Sequence, residues 1–327
     1  MKKIMRLCLH VGLVLLAVGM AFGSWSAIGN QVAADQAKHV KARAAVTMDA
    51  KTGKILYQQN AKKRYPVASC VKILTLAVIE QDIAKGKMHW DQKIKISKAV
   101  AKTSTDWHFS NVELKAGHKY TVRDLVNSMM IVSADGSAEA LAFASAGSTK
   151  AFNKKMYAVA KKAGVHDAKI YNMIGISNGE MRSHRLKGVS KSAESQFSAI
   201  DMAKIARYTV NHYPETLNIT KQKTVEFKID DSHSFLMHNL NYMLPGSGNA
   251  PKEGEIDGLK TGTTDKAGNC FVGTGVFNKR RLITVVLNVP GNFSEQFRQT
   301  NDMLSIVLGK DMQTPAPKKP GQPNQPK

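Results

Sequence analysis

RYPVASCVKILTLAVIEQDIAKG, residues 64–86, fixes the centre of the architecture. Pro66 disfavours helix in the residue before it, so the chain arrives extended. Ser69 is a good residue for a helix start, and from Val71 to Ile83 the run is apolar on nearly every face, until Gly86 stops it. A helix apolar all round is a buried central helix. Lys72 is the anomaly in it.

Working outward, Ala44–Asp49 reads as a short strand, Ala50 to Gly53 as a turn, and Lys54–Gln58 as the returning arm of a hairpin. Thr121–Ile131 has helical periodicity and stops at Val132-Ser133-Ala134-Asp135-Gly136, after which Ser137–Ala146 reads as a second helix. Phe152–Ala163 and Ala199–Asn211 are amphipathic helices. Gly258–Thr261, Cys270–Phe277 and Leu282–Val289 are β-rich runs, and Glu295–Leu308 is a closing helix. Strands at both ends with helices between them predict one sheet built from the two ends, with helices packed on it.

Ser69 and Lys72 stand three residues apart on that buried helix and therefore share a face. A serine hydroxyl is a weak nucleophile until a base takes its proton, and burial lowers the pKa of a lysine toward that role. The bland alternative is a capping serine beside a snorkelling lysine. Two further pieces favour chemistry. Ser133 lies in a tight helix–helix turn where a second hydroxyl could relay a proton, with Asp135 two residues on. Lys260-Thr261-Gly262 opens a β-run after the Gly-rich approach Asp257-Gly258-Leu259, where a lysine, a hydroxyl and an unhindered backbone can address an anionic substrate.

Ser-x-x-Lys, Ser-x-Asn and Lys-Thr-Gly in that order are the signature set of penicillin-binding proteins and class A β-lactamases. Two of the three match fully; the second has Asp135 where asparagine is usual. From about Ala44 to Leu308 the chain resembles the low-molecular-weight penicillin-binding proteins that are serine D-alanyl-D-alanine carboxypeptidases. The likeness extends through VTMDAKTGKILYQQNAKKRYPVAS (46–69), SADGSAEALA (133–142), SAIDMAKIARYTVNHYP (198–214), HNLN (238–241) and, closely, GEIDGLKTGTTDKAGNCFVGTG (254–275).

That resemblance implies an α/β (α+β) fold, a three-layer sandwich with a mostly antiparallel five-stranded sheet and helices on both faces. It implies that Ser69 forms the acyl-enzyme, Lys72 takes its proton and Ser133 passes one to the leaving amine. Asp135, Lys260, Thr261, Gly262 and Thr263 would bind substrate, with the backbone N–H groups of Ser69 and Thr263 as the oxyanion hole. The implied partners are a peptidoglycan stem peptide and β-lactam antibiotics; no cofactor is implied. A β-lactamase is the nearest rival, but no Glu-x-x-Leu-Asn follows the second motif, and its absence predicts slow lactam hydrolysis. A bacterial glutaminase also uses Ser-x-x-Lys and lacks the rest of the pattern. A non-catalytic wall-binding relative would ordinarily lose the nucleophile or its base, and here both remain.

Composition agrees with a globular chain: 327 residues, 43% hydrophobic and 22% charged. The net charge is +22. Lys2, Lys3 and Arg6 face no acid in residues 1–34, and residues 310–327 set four lysines against Asp311, which leaves +16 on 35–309. MKKIMR followed by the apolar run 7–23 reads as a secretory signal, with Val32-Ala33-Ala34 a small-residue cleavage site, or as a retained N-terminal anchor. Either reading exports the catalytic domain, expected at 35–309, to the outer face of the cytoplasmic membrane and the wall. An exported basic body suggests an anionic wall polymer or lipid surface as neighbour, not nucleic acid. Residues 310–327 hold half of the chain's 10 prolines and are expected to form a mobile tail. Many relatives carry a second β-rich domain and a C-terminal amphipathic helix; the expectation here is neither, with any membrane attachment at the N-terminus. Cys70 and Cys270 are read either as a pair or as two buried thiols. The ten histidines, His118 and His238 among them, are scattered, and no His-x-x-x-His or Cys-x-x-Cys spacing suggests a metal.

Overall fold

The computed structural model describes residues 39–314. The leader, its cleavage site and the proline-rich end from 315 onward lie outside the described residues. No helix among those described is long and apolar enough to cross a membrane.

Strands β1 (Ala44–Asp49) and β2 (Ile55–Gln59) form the expected hairpin. β3 (Arg64–Pro66) leads into the central helix, Lys72–Ala84. β4 (Lys93–Lys95) pairs with β5 (Lys119–Thr121), β3 with β6 (Gln196–Ser198), and β7 (Thr224–Lys228) with β8 (Ser234–His238). None of these short pairs was expected. The three-residue strands β3 to β6 carry too little alternation to stand out from loop, and their two pairs join segments distant in sequence, while β7 and β8, five residues each, form a local hairpin. The main sheet adds β9 (Glu255–Thr264), β10 (Gly268–Phe277) and β11 (Arg280–Val289), in the antiparallel order β2-β1-β11-β10-β9.

Every residue of β1 is buried, which requires cover on both faces of the sheet. Val46, Met48, Ile283, Val285, Leu287 and Val272 face the main core with the central helix and the helix Ala199–His212. On the opposite face Phe271 meets Phe297 of the closing helix Glu295–Leu308 edge to face, ring centroids 5.1 Å apart. This is the three-layer sandwich implied by the resemblance.

Three local expectations are corrected. Ser69 does not cap the central helix: it sits in one 3₁₀ turn, Ala68–Val71, and its hydroxyl is occupied elsewhere. The helix after the Ser133 turn begins at Asp135, not Ser137, and runs to Ala146. Its first N–H groups find partners in a neighbouring loop, Asp135 N–H donating to the Ser110 carbonyl (2.8 Å) and Gly136 N–H to Asn111 Oδ1 (3.0 Å). A serine cap was therefore unnecessary. Finally, residues 310–314 lie on the folded body: Met312 is fully buried, its carbonyl accepts from Lys252 N–H (3.2 Å), and Lys310 pairs with Glu253 at 2.7 Å. An apolar side chain ahead of the prolines extends the packed region beyond the predicted boundary.

Candidate active site

Lys72 is the first residue of the central helix and has no exposed surface. Its Nζ reaches four acceptors: Ser69 Oγ at 2.8 Å, Ser133 Oγ at 3.3 Å, Asp135 Oδ1 at 2.6 Å and the Ile174 carbonyl at 3.1 Å. Burying an unpaired ammonium would cost several kcal/mol. The Asp135 carboxylate, itself 4% exposed, offsets that cost. Burial pushes the Asp135 carboxyl up, with the Lys72 charge opposing the shift. Ser133 holds a left-handed backbone, φ +66°, which turns the chain sharply between the helix Val122–Ile131 and the one that Asp135 begins. Such strain in a serine is held by surrounding structure, and functional sites are where it collects.

The Lys260-Thr261-Gly262 strand edge closes the other side. A Cβ on Gly262 would fall 2.7 Å from the Val67 carbonyl oxygen and 2.9 Å from the Ser69 backbone nitrogen. Only glycine lets β9 approach the Ser69 turn this closely. Lys260 is 1% exposed, and its Nζ donates to the Thr261 carbonyl at 3.1 Å. Burial, reinforced by the Lys72 charge, pushes Lys260 down to about 7. Thr261 is buried, while Thr263 is exposed and donates to Asn269 Oδ1 at 3.2 Å. Of the eight residues singled out in the sequence, Ser69, Ser133 and Asp135 meet at Lys72 Nζ, and Gly262 abuts the Ser69 turn from β9, which also carries Lys260, Thr261 and Thr263.

Sequence reasoning missed the segment 172–176. Asn172 Oδ1 accepts from the N–H groups of Ile174 (3.1 Å) and Gly175 (2.7 Å), and its amide donates to the Ile176 carbonyl (2.8 Å). That ring aims the Ile174 carbonyl at Lys72. Gly175, φ +99°, lies so near the Ser69 turn that a Cβ would come within 2.0 Å of the Ala68 oxygen. Asn172 and Gly175 three residues apart signal a turn. They give no hint of what it touches.

Cys70 and Cys270 are free buried thiols. Cys70 Sγ lies 3.5 Å from the Lys260 carbonyl and 3.7 Å from that of Cys270, so both fill the seam between the Ser69 turn and the sheet. Burial pushes both thiols up, Cys270 to about 12. Glu139, the acid nearest Asp135 on the same helix, is bound by His184 Nδ1 at 2.5 Å. Among the described residues no group of three or more His, Cys, Asp or Glu could hold a metal ion.

The D-alanyl-D-alanine carboxypeptidase family of serine peptidases matches over residues 30–291. The D-alanyl-D-alanine carboxypeptidase DacF of Bacillus subtilis is 27% identical over 271 residues, covering 82% of this chain and 62% of the relative. DacC of Escherichia coli is 31% identical over 255 residues, covering 77% and 58%. The chain therefore spans about three-fifths of these curated relatives. Among solved structures, a peptidoglycan synthesis regulatory factor (PBP3) from Streptococcus pneumoniae is 33% identical, with a TM-score of 0.78 over 83% of this chain and 72% of that one. Penicillin-binding protein D2 from Listeria monocytogenes, in its cefotaxime-bound form, is 27% identical with a TM-score of 0.67 over 83% and 98%. With the matched span covering most of the chain, and the Ser-x-x-Lys turn set against the Lys-Thr-Gly edge inside it, the chain belongs to the D-alanyl-D-alanine carboxypeptidase family, peptidase family S11.

Proposed function

We propose that this chain removes the terminal D-alanine from peptidoglycan stem peptides through an acyl-enzyme on Ser69, and that penicillins acylate the same oxygen. One observation carries the reading: Lys72 Nζ stands within hydrogen-bond reach of both the Ser69 and Ser133 hydroxyls, in a fully buried position. Ser69 Oγ attacks the carbonyl carbon between the two D-alanines, and Lys72, in its neutral form, takes the hydroxyl proton. The N–H groups of Ser69 and Thr263 hold the oxyanion, each such donor contributing ~3–4 kcal/mol in the transition state. Ser133 hands a proton to the departing amine, the C–N bond breaks, and water later releases the shortened peptide.

The charge balance suits the substrate. Lys72 and Lys260 are both buried, and Asp135 is the carboxylate in contact with them, on Lys72. A peptide's terminal carboxylate beside Lys260, Thr261 and Thr263 would give the buried Lys260 an anionic partner. Asp135 would lie beside the substrate backbone. We place the protein outside the cytoplasm, on the strength of its leader-like start and the location of its substrate.

Incubation of the purified chain with a pentapeptide ending in two D-alanines should release free D-alanine. A penicillin should add its own mass to the intact protein, and Ser69→Ala should abolish both results. An adduct that survives Ser69→Ala overturns the assignment.

A further inference from the structure

A cavity of about 1000 Å³ lies beside this site, and none of Ser69, Lys72, Ser133 or Lys260 lines it. One wall is β4 with the residues that follow it; the other is the strap 183–189; the helix Asp135–Ala146 forms the floor and the start of the helix Thr149–Lys162 closes one end. Its rim carries five exposed cations from three separate segments: Lys93, Lys95, Lys150, Arg185 and Lys187. Its 20 lining residues include no aspartate or glutamate. None of the five rim cations makes an ion pair with a described residue, although acids elsewhere on the body are paired with lysine or arginine again and again. Lys95 also stands directly opposite Lys119 in the β4–β5 ladder. Like charges at that position destabilise a strand pair until an anion arrives.

The strap is a built wall. Asn178 accepts from Leu186 N–H (2.8 Å) and donates to the Leu186 and Val189 carbonyls (3.1 Å each), while His184 is held by Glu139 and lies edge-on to Phe143, ring centroids 4.5 Å apart. Ser183 and His184 also line a smaller cavity that reaches Ile174, whose carbonyl accepts from Lys72. The basic groove thus adjoins the back of the catalytic cluster.

We propose that this groove binds a phosphodiester-linked polyol, an anionic wall polymer, and so holds the protein on the material whose stem peptides it trims. Several unpaired cations around an acid-free cleft match a chain of regularly spaced phosphates. A nucleic acid fits less well, because the aromatic rings lining the groove, Phe143 and His184, are packed against each other and neither is free to stack a base. A membrane surface fits less well, because the cations ring a concavity. The proposal stands independently of the peptidase assignment, since binding is measured directly.

The test uses the full chain with poly(glycerol phosphate) as probe, titrated at low and at physiological salt. Lys95→Glu/Lys150→Glu/Arg185→Glu/Lys187→Glu reverses four rim charges. Lys51→Glu/Lys54→Glu/Lys62→Glu/Lys228→Glu, all exposed and outside the groove, makes the same change in net charge. Unchanged thermal melts verify that both variants are folded. The groove variant should bind at least about tenfold more weakly and with a flatter salt dependence, as expected when several phosphate contacts are lost. The control should bind within about twofold of wild type, since distant exposed charges are screened. Equal weakening in both variants, no binding of the polymer by wild type, or tighter binding to phosphatidylglycerol vesicles or to a short DNA duplex than to the polymer overturns the proposal.

Discussion

Asp135 is the residue at which this chain departs from its family's motif, and the structure puts its carboxylate on the base, 2.6 Å from Lys72 Nζ. An asparagine there could donate to a substrate carbonyl; a carboxylate held on Lys72 Nζ only accepts. Asp135→Asn should therefore acylate faster with a penicillin, by about tenfold, the worth of roughly one hydrogen bond. Second-order acylation by a penicillin, measured side by side in both proteins, checks it; a variant that is slower than wild type sinks the idea. Lys260 gives a stability prediction of its own. Its folded pKa of about 7 lies below the usual 10.5, so between those values the unfolded chain binds more protons and stability rises with pH. Lys260→Met should remove that rise from a series of denaturant melts. The pairing of Ser69 with Lys72 followed from their spacing of three residues, which the 3₁₀ turn Ala68–Val71 preserves as it leads into the central helix. The contact of Asp135 with Lys72 and not Lys260 did not, because it depends on how the turn at Ser133 packs.

The central helix carries buried acids of its own, Glu80 and Asp82. Glu80 is 5% exposed, accepts from Thr216 Oγ1 at 2.9 Å, and is pushed up to about 8 by burial. Between its ordinary value of 4.5 and about 8 the folded state holds the proton that the unfolded state has lost, so stability falls as pH rises through that window. Glu80→Gln keeps the acceptor and removes the titration. It should flatten the melting curve across pH 5 to 8.5 and be more stable than wild type at the upper end, with ~5 kcal/mol as the upper bound at about 1.4 kcal/mol per unit. Parallel curves for the two proteins would contradict the burial argument. The 172–176 loop makes the complementary case. Gly175→Ala must take φ +99° and clear the Ala68 carbonyl, so it should cost at least ~2 kcal/mol and slow acylation together, by moving the Ser69 turn. A stable Gly175→Ala variant with normal acylation would show that the loop is only a neighbour. Neither the glutamate's burial nor the loop's destination has a signature in local spacing.

Across the whole described body, the carboxylate that touches the Ser69–Lys72–Ser133 cluster is that of Asp135, and it is already engaged with Lys72; Glu139 is engaged with His184. No other carboxylate contacts those three side chains, and so none stands ready to activate water against an acyl group. A penicillin adduct should therefore persist long after free drug is removed, when followed by intact mass; rapid loss of the adduct would mean that a water-activating group has been overlooked. The long apolar helix, the hairpin, the closing helix and the three motifs were readable from the chain because period, turn residues and chemical type are local properties. The mid-chain strand pairs, the Asn172 ring, the buried Met312 and the acid-free groove were not. The β3–β6 and β4–β5 pairs, the Met312 contact and the groove join segments far apart in sequence, and the Asn172 ring, though local, owes its role to the Ser69 turn it meets; this geometry follows from the packing of that turn against β9 and of the helices against one another. Local chemistry named the nucleophile and its base, since a spacing of three residues lets two side chains meet across a single helical turn, here a 3₁₀ turn running into an α-helix. Tertiary packing alone set which carboxylate meets the base and which glycine clears the turn, because close approach between distant segments leaves no trace in the spacing of either one.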